Sequence, residues 1–220
     1  FGNYYRPFQL LSYMADYSIW KLNPFGYHLS NLFLHTFNAI LVYFILTIIS
    51  LSPVLAFMTA IFFAVSPAIS MVTYYISSRA DLLMAFFMFL SFLLFSDYLK
   101  NTRKSLYVFS VICFILALFS REAAIILPIL LILEGWRQKE RKPKVLSPIL
   151  PYLVVTIFYV FSRFTFLNFS NNKNPLMQVA YSVSIPLKMR LLTDFKIINE
   201  YLKLLIYPHG LHMQRFIQPV

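Results

Sequence analysis

Long apolar segments, separated by short polar or basic ones, make up most of the chain. LFLHTFNAILVYFILTIISL, MAFFMFLSFLLF and YVFSVICFILALF are the clearest of these segments, and they lack the strict alternation of apolar and polar positions that half-buried strands show. A backbone in hydrocarbon must satisfy its own hydrogen bonds, and a helix does so within one segment. The pattern therefore predicts an all-α membrane protein with spans near 28–50, 54–73, 82–99, 105–119, 123–135 and 146–163.

Segments near the two ends are amphipathic rather than uniformly apolar. In RPFQLLSYMADYSIWKL the apolar positions recur at helical spacing, while Gln9, Asp16 and Lys21 fall elsewhere on the wheel. IPLKMRLLTDFKIINEYLKLLIYP has a similar broad apolar face. We predict an external interfacial helix within residues 1–27, and an external loop followed by a second such helix within 164–220. For the second helix, a steeply tilted span is the alternative.

Basic residues set the expected orientation. One short cluster holds Lys100, Arg103 and Lys104, and a second extends over residues 137–144. Because cytoplasmic loops are enriched in Lys and Arg, both clusters are expected in the cytoplasm, so two spans must separate them. Residues 105–135 are therefore predicted to form a hairpin with SREAA at its external tip. A single continuous helix over 105–135 is the alternative, and it would leave one basic loop outside.

Composition agrees with a bilayer as the solvent. Of the 220 residues, 60% are hydrophobic and 12% charged, against roughly 25% charged in typical soluble domains. The net charge of +11 would suggest nucleic acid as the partner of a soluble domain, but the basic residues flank apolar spans, so nucleic acid is not expected. The chain begins at Phe1 with no signal peptide, and we expect it to be one transmembrane domain within a longer membrane protein.

Isolated polar residues gather on the predicted external side. They are Tyr5, Arg6, Arg79, Asp81, Arg121, Glu122, His209 and His212. An ionised side chain at membrane depth costs a few kcal/mol, so it normally faces protein or a watery cavity. Arg121 either pairs with Glu122 or Asp81 and fixes helix packing, or presents its planar guanidinium to a lipid-linked phosphate. Arg79 likewise either binds a lipid-linked phosphate or has a structural role. In the structural role it would cap the helix end and extend its side chain to the membrane interface.

His28, Asn31 and His35 share one face of the first span. We favour hydrogen bonds between helices over metal binding, because no further ligand stands at suitable spacing. The two histidines near the C-terminus are explained by a turn after Pro208, and the glycosylation triplet at 168–170 by chance. Glycine-rich phosphate loops, nucleophile elbows and paired cysteines are missing from the sequence, so no cofactor and no metal is assigned.

Four segments, taken in order, resemble a known family. They are NYYRPFQLLSYMADYSIWKLNPFGYHLSNLFLHTFNAILVYF, SPAISMVTYYISSRADLL, FSREAAIILPILLILEGW and EYLKLLIYPHGLHMQ. Together they resemble multispanning glycosyltransferases of the GT-C superfamily, especially the transmembrane and tetratricopeptide-repeat O-mannosyltransferase-like proteins. The resemblance covers most of the chain and rests on the order of the segments.

This resemblance implies an enzyme in the bacterial inner membrane, or in the endoplasmic reticulum membrane of a eukaryote. It would move a mannose-like sugar from a polyprenyl or dolichyl monophosphate to a protein or glycan acceptor on the external face. A carboxylate base is needed to deprotonate the acceptor hydroxyl, and the family's acidic motif would lie upstream of Phe1. Arg121 and Arg79 are then expected to bind the donor phosphate.

Supporting roles around the phosphate follow from the same resemblance. Glu122 and Asp81 would orient the two arginines, while Tyr5 and Arg6 line the cavity and His28 and His35 support it. The segment after Ser66-Pro67 lacks the carboxylate that members of the family often have there. The resemblance therefore gives little reason to assign this segment a role in binding or activating the acceptor. A transporter or flippase of lipid-linked sugar is the alternative, and a non-catalytic membrane scaffold is another.

Overall fold

The protein is all-helical throughout the residues that the computed structural model describes, which are 6–49, 51–138, 147–165 and 187–206. No strand occurs in these ranges. Short 3₁₀ turns lie at Ile76–Ser78, Glu122–Ile126 and Ser147–Ile149. The helices are α1 (Pro7–Trp20), α2 (Pro24–Ile48), α3 (Pro53–Val65), α4 (Pro67–Tyr74), α5 (Arg79–Asn101), α6 (Lys104–Ser120), α7 (Leu127–Arg137), α8 (Leu150–Thr165) and α9 (Leu187–Ile206).

Proline starts the first four helices, because its fixed φ suits the first helical position and its missing N–H would be unpaired there anyway. Two of these starts also carry a side-chain cap. Asn23 accepts a hydrogen bond from the backbone N–H of Phe25 at 3.1 Å, and Ser52 accepts one from Leu55 at 3.3 Å. Local sequence thus fixes where α2 and α3 begin.

The predicted span 54–73 is two helices in the structure. α3 ends at Val65, Ser66 has a non-helical ψ of 120°, and α4 begins at Pro67. Proline disfavours the helical conformation of the residue before it and removes one hydrogen-bond donor. The apolar run conceals this break, because hydrophobicity continues across it.

Residues 104–137 form a helical hairpin. α6 ends at Ser120, Arg121 is extended, and the chain returns through the 3₁₀ turn into α7. Arg121 and Glu122 therefore lie at the tip. At the other end, the Arg137 guanidinium donates to the Ile48 carbonyl at the end of α2. We call these two ends of the bundle the Arg121 end and the Arg137 end.

α5 is the central helix of the bundle and packs against α2, α6 and α7. Its C-terminal half contributes Phe95 to a buried cluster that also includes Phe114 of α6, Leu131 of α7 and Tyr152 of α8. Polar contacts join the same helices. Tyr152 donates to the Ser110 hydroxyl at 2.7 Å, and that hydroxyl donates to the Ser91 carbonyl at 2.5 Å. Small serines allow α5 and α6 to approach closely.

Large apolar side chains cover much of the surface, while several polar ones are buried. Phe33, Phe57 and Phe158 are more than half exposed, whereas Asn31, Ser91 and Ser110 are fully buried. Two helical segments, Pro24–Ile48 and Ile76–Asn101, are long and apolar enough to cross a membrane. A buried helix of a soluble protein or a signal sequence can have the same length and composition. Three further apolar helices are shorter than 18 residues.

α1 packs with its polar side inward. Asp16 is buried, while Leu10, Met14 and Ile19 are each at least 60% exposed. In a water-soluble domain the apolar side would be the buried one. The observed arrangement suits a helix at a membrane interface, where the apolar side faces lipid.

Gly26 permits the close contact between α1 and α2. A Cβ atom at this position would lie 2.0 Å from Cγ of the Trp20 ring, so the ring would have to move. We expect Gly26→Ala to lower the free energy of unfolding by about 1–3 kcal/mol, as overpacking typically does. Thermal unfolding in detergent measures this effect. Leu22→Ala, at an 84% exposed site in the same connection, should leave stability nearly unchanged, and equal losses in both variants would contradict the packing explanation.

Candidate functional site

A buried ion pair joins α1 to α5. The Arg79 guanidinium, 1% exposed, pairs with the Asp16 carboxylate. Nε of Arg79 donates to Oδ1 of Asn31 at 2.7 Å, and Nη2 donates to the Tyr27 carbonyl at 2.7 Å. Ser30 donates to the other carboxylate oxygen of Asp16 at 2.8 Å. We call this set of four side chains and one carbonyl the Arg79 network.

These contacts correct the role expected for Arg79. All three nitrogens of the guanidinium donate to protein acceptors, and the Tyr13 ring covers it, with its centroid 5.1 Å from Cζ. A guanidinium that is 1% exposed and covered in this way has no side open to a phosphate. Arg79 is therefore removed from the predicted phosphate site, and its role is to bind α1 and α2 to the start of α5.

α1 has two further anchors beside this network. The Tyr13 hydroxyl donates to the Ile76 carbonyl at 2.7 Å, and Nε2 of Gln9 donates to the Ser77 carbonyl at 3.0 Å. Both acceptors belong to the 3₁₀ turn before α5, where short helices leave carbonyls free for other donors. These polar contacts fix the position of α1 together with the Phe8 ring, which packs edge-on against Phe87 of α5.

A second group of charges lies at the Arg121 end and is more accessible. Arg121 pairs with Asp81 of α5, and their side chains are 36% and 35% exposed. Glu122 lies between two other arginines, 3.5 Å from Arg6 and 3.7 Å from Arg163. These five residues, three cationic and two anionic, are the Arg121 cluster. Its net charge is one positive charge.

The pairing within the cluster differs in part from the sequence prediction. Asp81 contacts Arg121, which is one of the partners expected for it. Glu122 was expected to orient Arg121 or Arg79 but contacts Arg6 and Arg163 instead. Because Glu122 is in the 3₁₀ turn after an extended Arg121, the two adjacent side chains point to different neighbours. Glu122 is therefore a partner of α1 and α8.

Glu122 is held in its ionised form. Partial burial alone would raise the pKa of its carboxyl group. A hydrogen bond from its own backbone N–H and the positive charges of Arg6 and Arg163 outweigh this effect, so the pKa lies below its ordinary value of 4.5. At neutral pH Glu122 consequently carries a negative charge between Arg6 and Arg163.

The predicted histidine pair is divided between two environments. His35 is buried, and its Nε2 donates to the Ala64 carbonyl of α3 at 3.0 Å while its ring stacks on Phe63. His28 is exposed. Asn31 donates to the Tyr75 carbonyl at 3.2 Å, so the shared face serves hydrogen bonds between helices. Tyr5, His209, His212 and the triplet at 168–170 lie outside the described residues.

A third polar group, at the Arg137 end, was missed from the sequence. The Glu134 carboxylate is 3% exposed and accepts hydrogen bonds from Ser96 at 2.5 Å, from Gln138, and from Arg137 at 2.6 Å and 2.8 Å. We call these four residues the Glu134 network. The sequence feature that could have identified it is an isolated carboxylate among apolar residues near the end of α7. Asp16, among the apolar residues of α1, is a second isolated charge of this kind. Arg163, near the end of α8, is a third.

Among the side chains described, no three His, Cys, Asp or Glu residues are grouped so as to hold a metal ion. No protein-family model, curated protein or solved structure matches the chain. The assignment of a function therefore depends on the Arg121 cluster and on the resemblance between motifs.

Proposed function

We propose that this chain is part of a polytopic membrane glycosyltransferase of the GT-C type. In this proposal it takes a mannose-like sugar from a polyprenyl or dolichyl monophosphate and transfers it to an acceptor hydroxyl at the Arg121 end. The bilayer, the lipid-linked sugar and a protein or glycan acceptor are its partners. The membrane is the bacterial inner membrane, or the endoplasmic reticulum membrane if the protein is eukaryotic.

Support for a membrane setting comes from the distribution of side chains. Asparagine, serine and glutamate side chains are buried between helices, while phenylalanine and leucine side chains cover the outside. Lipid tails are as apolar as leucine, so a bundle in lipid needs no apolar interior to assemble and can use interhelical hydrogen bonds instead. Lys100, Arg103 and Arg137 lie at the end opposite to Arg121, as expected if that end is cytoplasmic.

The observation that carries the proposal is the partial exposure of Arg121 in a cluster with a net positive charge. A guanidinium has five N–H donors in a planar fork, and one carboxylate engages at most two of them well. Arg121 can therefore keep its contact with Asp81 and still bind a phosphate oxygen. Arg6 and Arg163 add positive charge from α1 and α8.

The chemistry that follows is electrostatic. When the bond between the sugar and the lipid phosphate breaks, negative charge develops on the phosphate oxygens. A fixed guanidinium stabilises this charge more than it stabilises the bound donor, which lowers the barrier. Asp81 orients the guanidinium. We assign the acceptor base to no described residue, and Asp16 is excluded because it is buried against Arg79.

The test uses the full-length protein reconstituted in vesicles with a polyprenyl phosphate that carries radiolabelled mannose. A transferase moves label to an acceptor, or slowly to water, and releases polyprenyl phosphate. A transporter moves the intact donor across the bilayer without breaking the bond. A scaffold does neither. Intact donor after prolonged incubation with a range of acceptors, together with wild-type folding, would rule out the transferase.

A further inference from the structure

A groove separate from the Arg121 cluster opens between α2, α5 and α7. Its volume is about 330 Å³, which is at the lower end of the range for small-molecule sites. Apolar side chains such as Ile49, Phe92 and Leu130 line most of it. Glu134 and Arg137 are its only polar lining residues in the part of the chain that the structure describes. The groove is thus apolar along its length and charged at one end.

The charged end holds a partly exposed guanidinium with donor groups to spare. Glu134 is buried and its carboxylate accepts from four donor groups, so its negative charge is already compensated. Arg137 has a side chain that is 34% exposed, and its hydrogen bonds to described residues come from Nε and Nη2. A guanidinium with one nitrogen left over can contact a second anion.

Basic residues at the start of α6 add positive charge at this end. Lys104 begins α6 at the same end of the bundle, and Arg103 directly precedes it. Clusters of lysine and arginine beside a membrane helix attract anionic lipids. The charged end of the groove is far from the Arg121 cluster, since the fifteen residues from Asp81 to Ser96, which contacts Glu134, correspond to about 22 Å along α5. The apolar end of the groove reaches Met88 and Leu127.

We propose that this groove binds one anionic phospholipid, with an acyl chain along α7 and the phosphate on Arg137. Apolar walls exclude a free inorganic phosphate or a sugar headgroup from the groove itself. Arg103 and Lys104 at the same end of the bundle favour a lipid with net negative charge over a zwitterionic one. The bound chain fills the space between α2 and α7, which Arg137 joins through the Ile48 carbonyl. This site is independent of the proposed transferase activity.

Native mass spectrometry of delipidated full-length protein tests the site, with dioleoyl phosphatidylglycerol and dioleoyl phosphatidylcholine as the probes. We expect one tightly bound phosphatidylglycerol and a phosphatidylcholine affinity at least about tenfold weaker. Both headgroups offer a phosphate to Arg137, but only phosphatidylglycerol has the net negative charge that the basic residues at this end attract. Leu130→Trp should remove the tight site by filling the groove. Ile129→Trp, on α7 and 58% exposed but outside the groove, should retain it.

Arg137→Gln tests the headgroup contact, and Lys21→Gln removes one positive charge from an exposed site at the Arg121 end as its control. Arg137→Gln should lower the phosphatidylglycerol affinity about tenfold, because the charge-assisted hydrogen bond to the phosphate is lost, and Lys21→Gln should leave that affinity unchanged. If loss of the Glu134 partner prevents folding, the tryptophan pair decides alone. Equal affinity for both lipids, or wild-type binding by a folded Leu130→Trp protein, would overturn the proposal.

Discussion

Asp16→Ala is expected to lower the free energy of unfolding by about 3–5 kcal/mol, the usual effect of removing one partner from a buried ion pair. The reason is that Arg79 would stay buried with an uncompensated charge. For a chain of this size the loss corresponds to a melting temperature lower by roughly 10 °C. Thermal unfolding of the protein in detergent measures it.

Two companion variants separate the ion pair from general damage to α1. Asp97→Ala removes a carboxylate that accepts an exposed hydrogen bond from Asn101, and it should change stability little. Arg79→Met in combination with Asp16→Ala should cost less than the sum of the two single changes, because the pair then leaves no lone charge. Additive losses would contradict a direct Asp16–Arg79 interaction.

Arg121→Ala is expected to reduce sugar transfer about 100-fold or more while the protein still folds. Removal of one preorganised donor from a site of developing negative charge typically has this effect. Stability should change little, since exposed ion pairs contribute about 0–1 kcal/mol. Transfer from lipid-phosphate mannose and thermal unfolding are measured on the same preparations.

Arg121→Lys and Arg103→Ala make this prediction specific. Lysine keeps the charge but loses the planar fork, so Arg121→Lys should recover part of the activity. Arg103, which is exposed at the opposite end of the bundle, should tolerate alanine with wild-type transfer. Wild-type turnover by Arg121→Ala would mean that Arg121 serves only to hold Asp81.

The different exposure of the two arginines explains why opposite outcomes are expected. Both arginines form an ion pair with an aspartate, but the Arg79 side chain is 1% exposed and the Arg121 side chain 36% exposed. A buried guanidinium that donates from every nitrogen contributes to stability and cannot meet a ligand. An accessible guanidinium with spare donors contributes little to stability and can bind an anion.

Helices were the part of the fold that could be predicted from sequence, and the break at Pro67 was the main error. Periodicity and apolar runs are local properties, so α2, α5 and α6 could be located from them. Ser66-Pro67 was also a local signal, but the continuous apolar run across it hid the break. The partner of each charged side chain could not be predicted in the same way. Arg79 and Asp16 are 63 residues apart, and no spacing rule connects them.

The sequence by itself determined an apolar, helical chain with two short basic segments between its apolar runs and with its other charges distributed along the rest of the chain. Those features follow from composition and from neighbours within a few residues. Only the tertiary structure decided which charges meet, because helix packing brings distant positions together and sets how much water reaches each one. Burial assigned Arg79 to the scaffold, and partial exposure left Arg121 available for an anionic ligand.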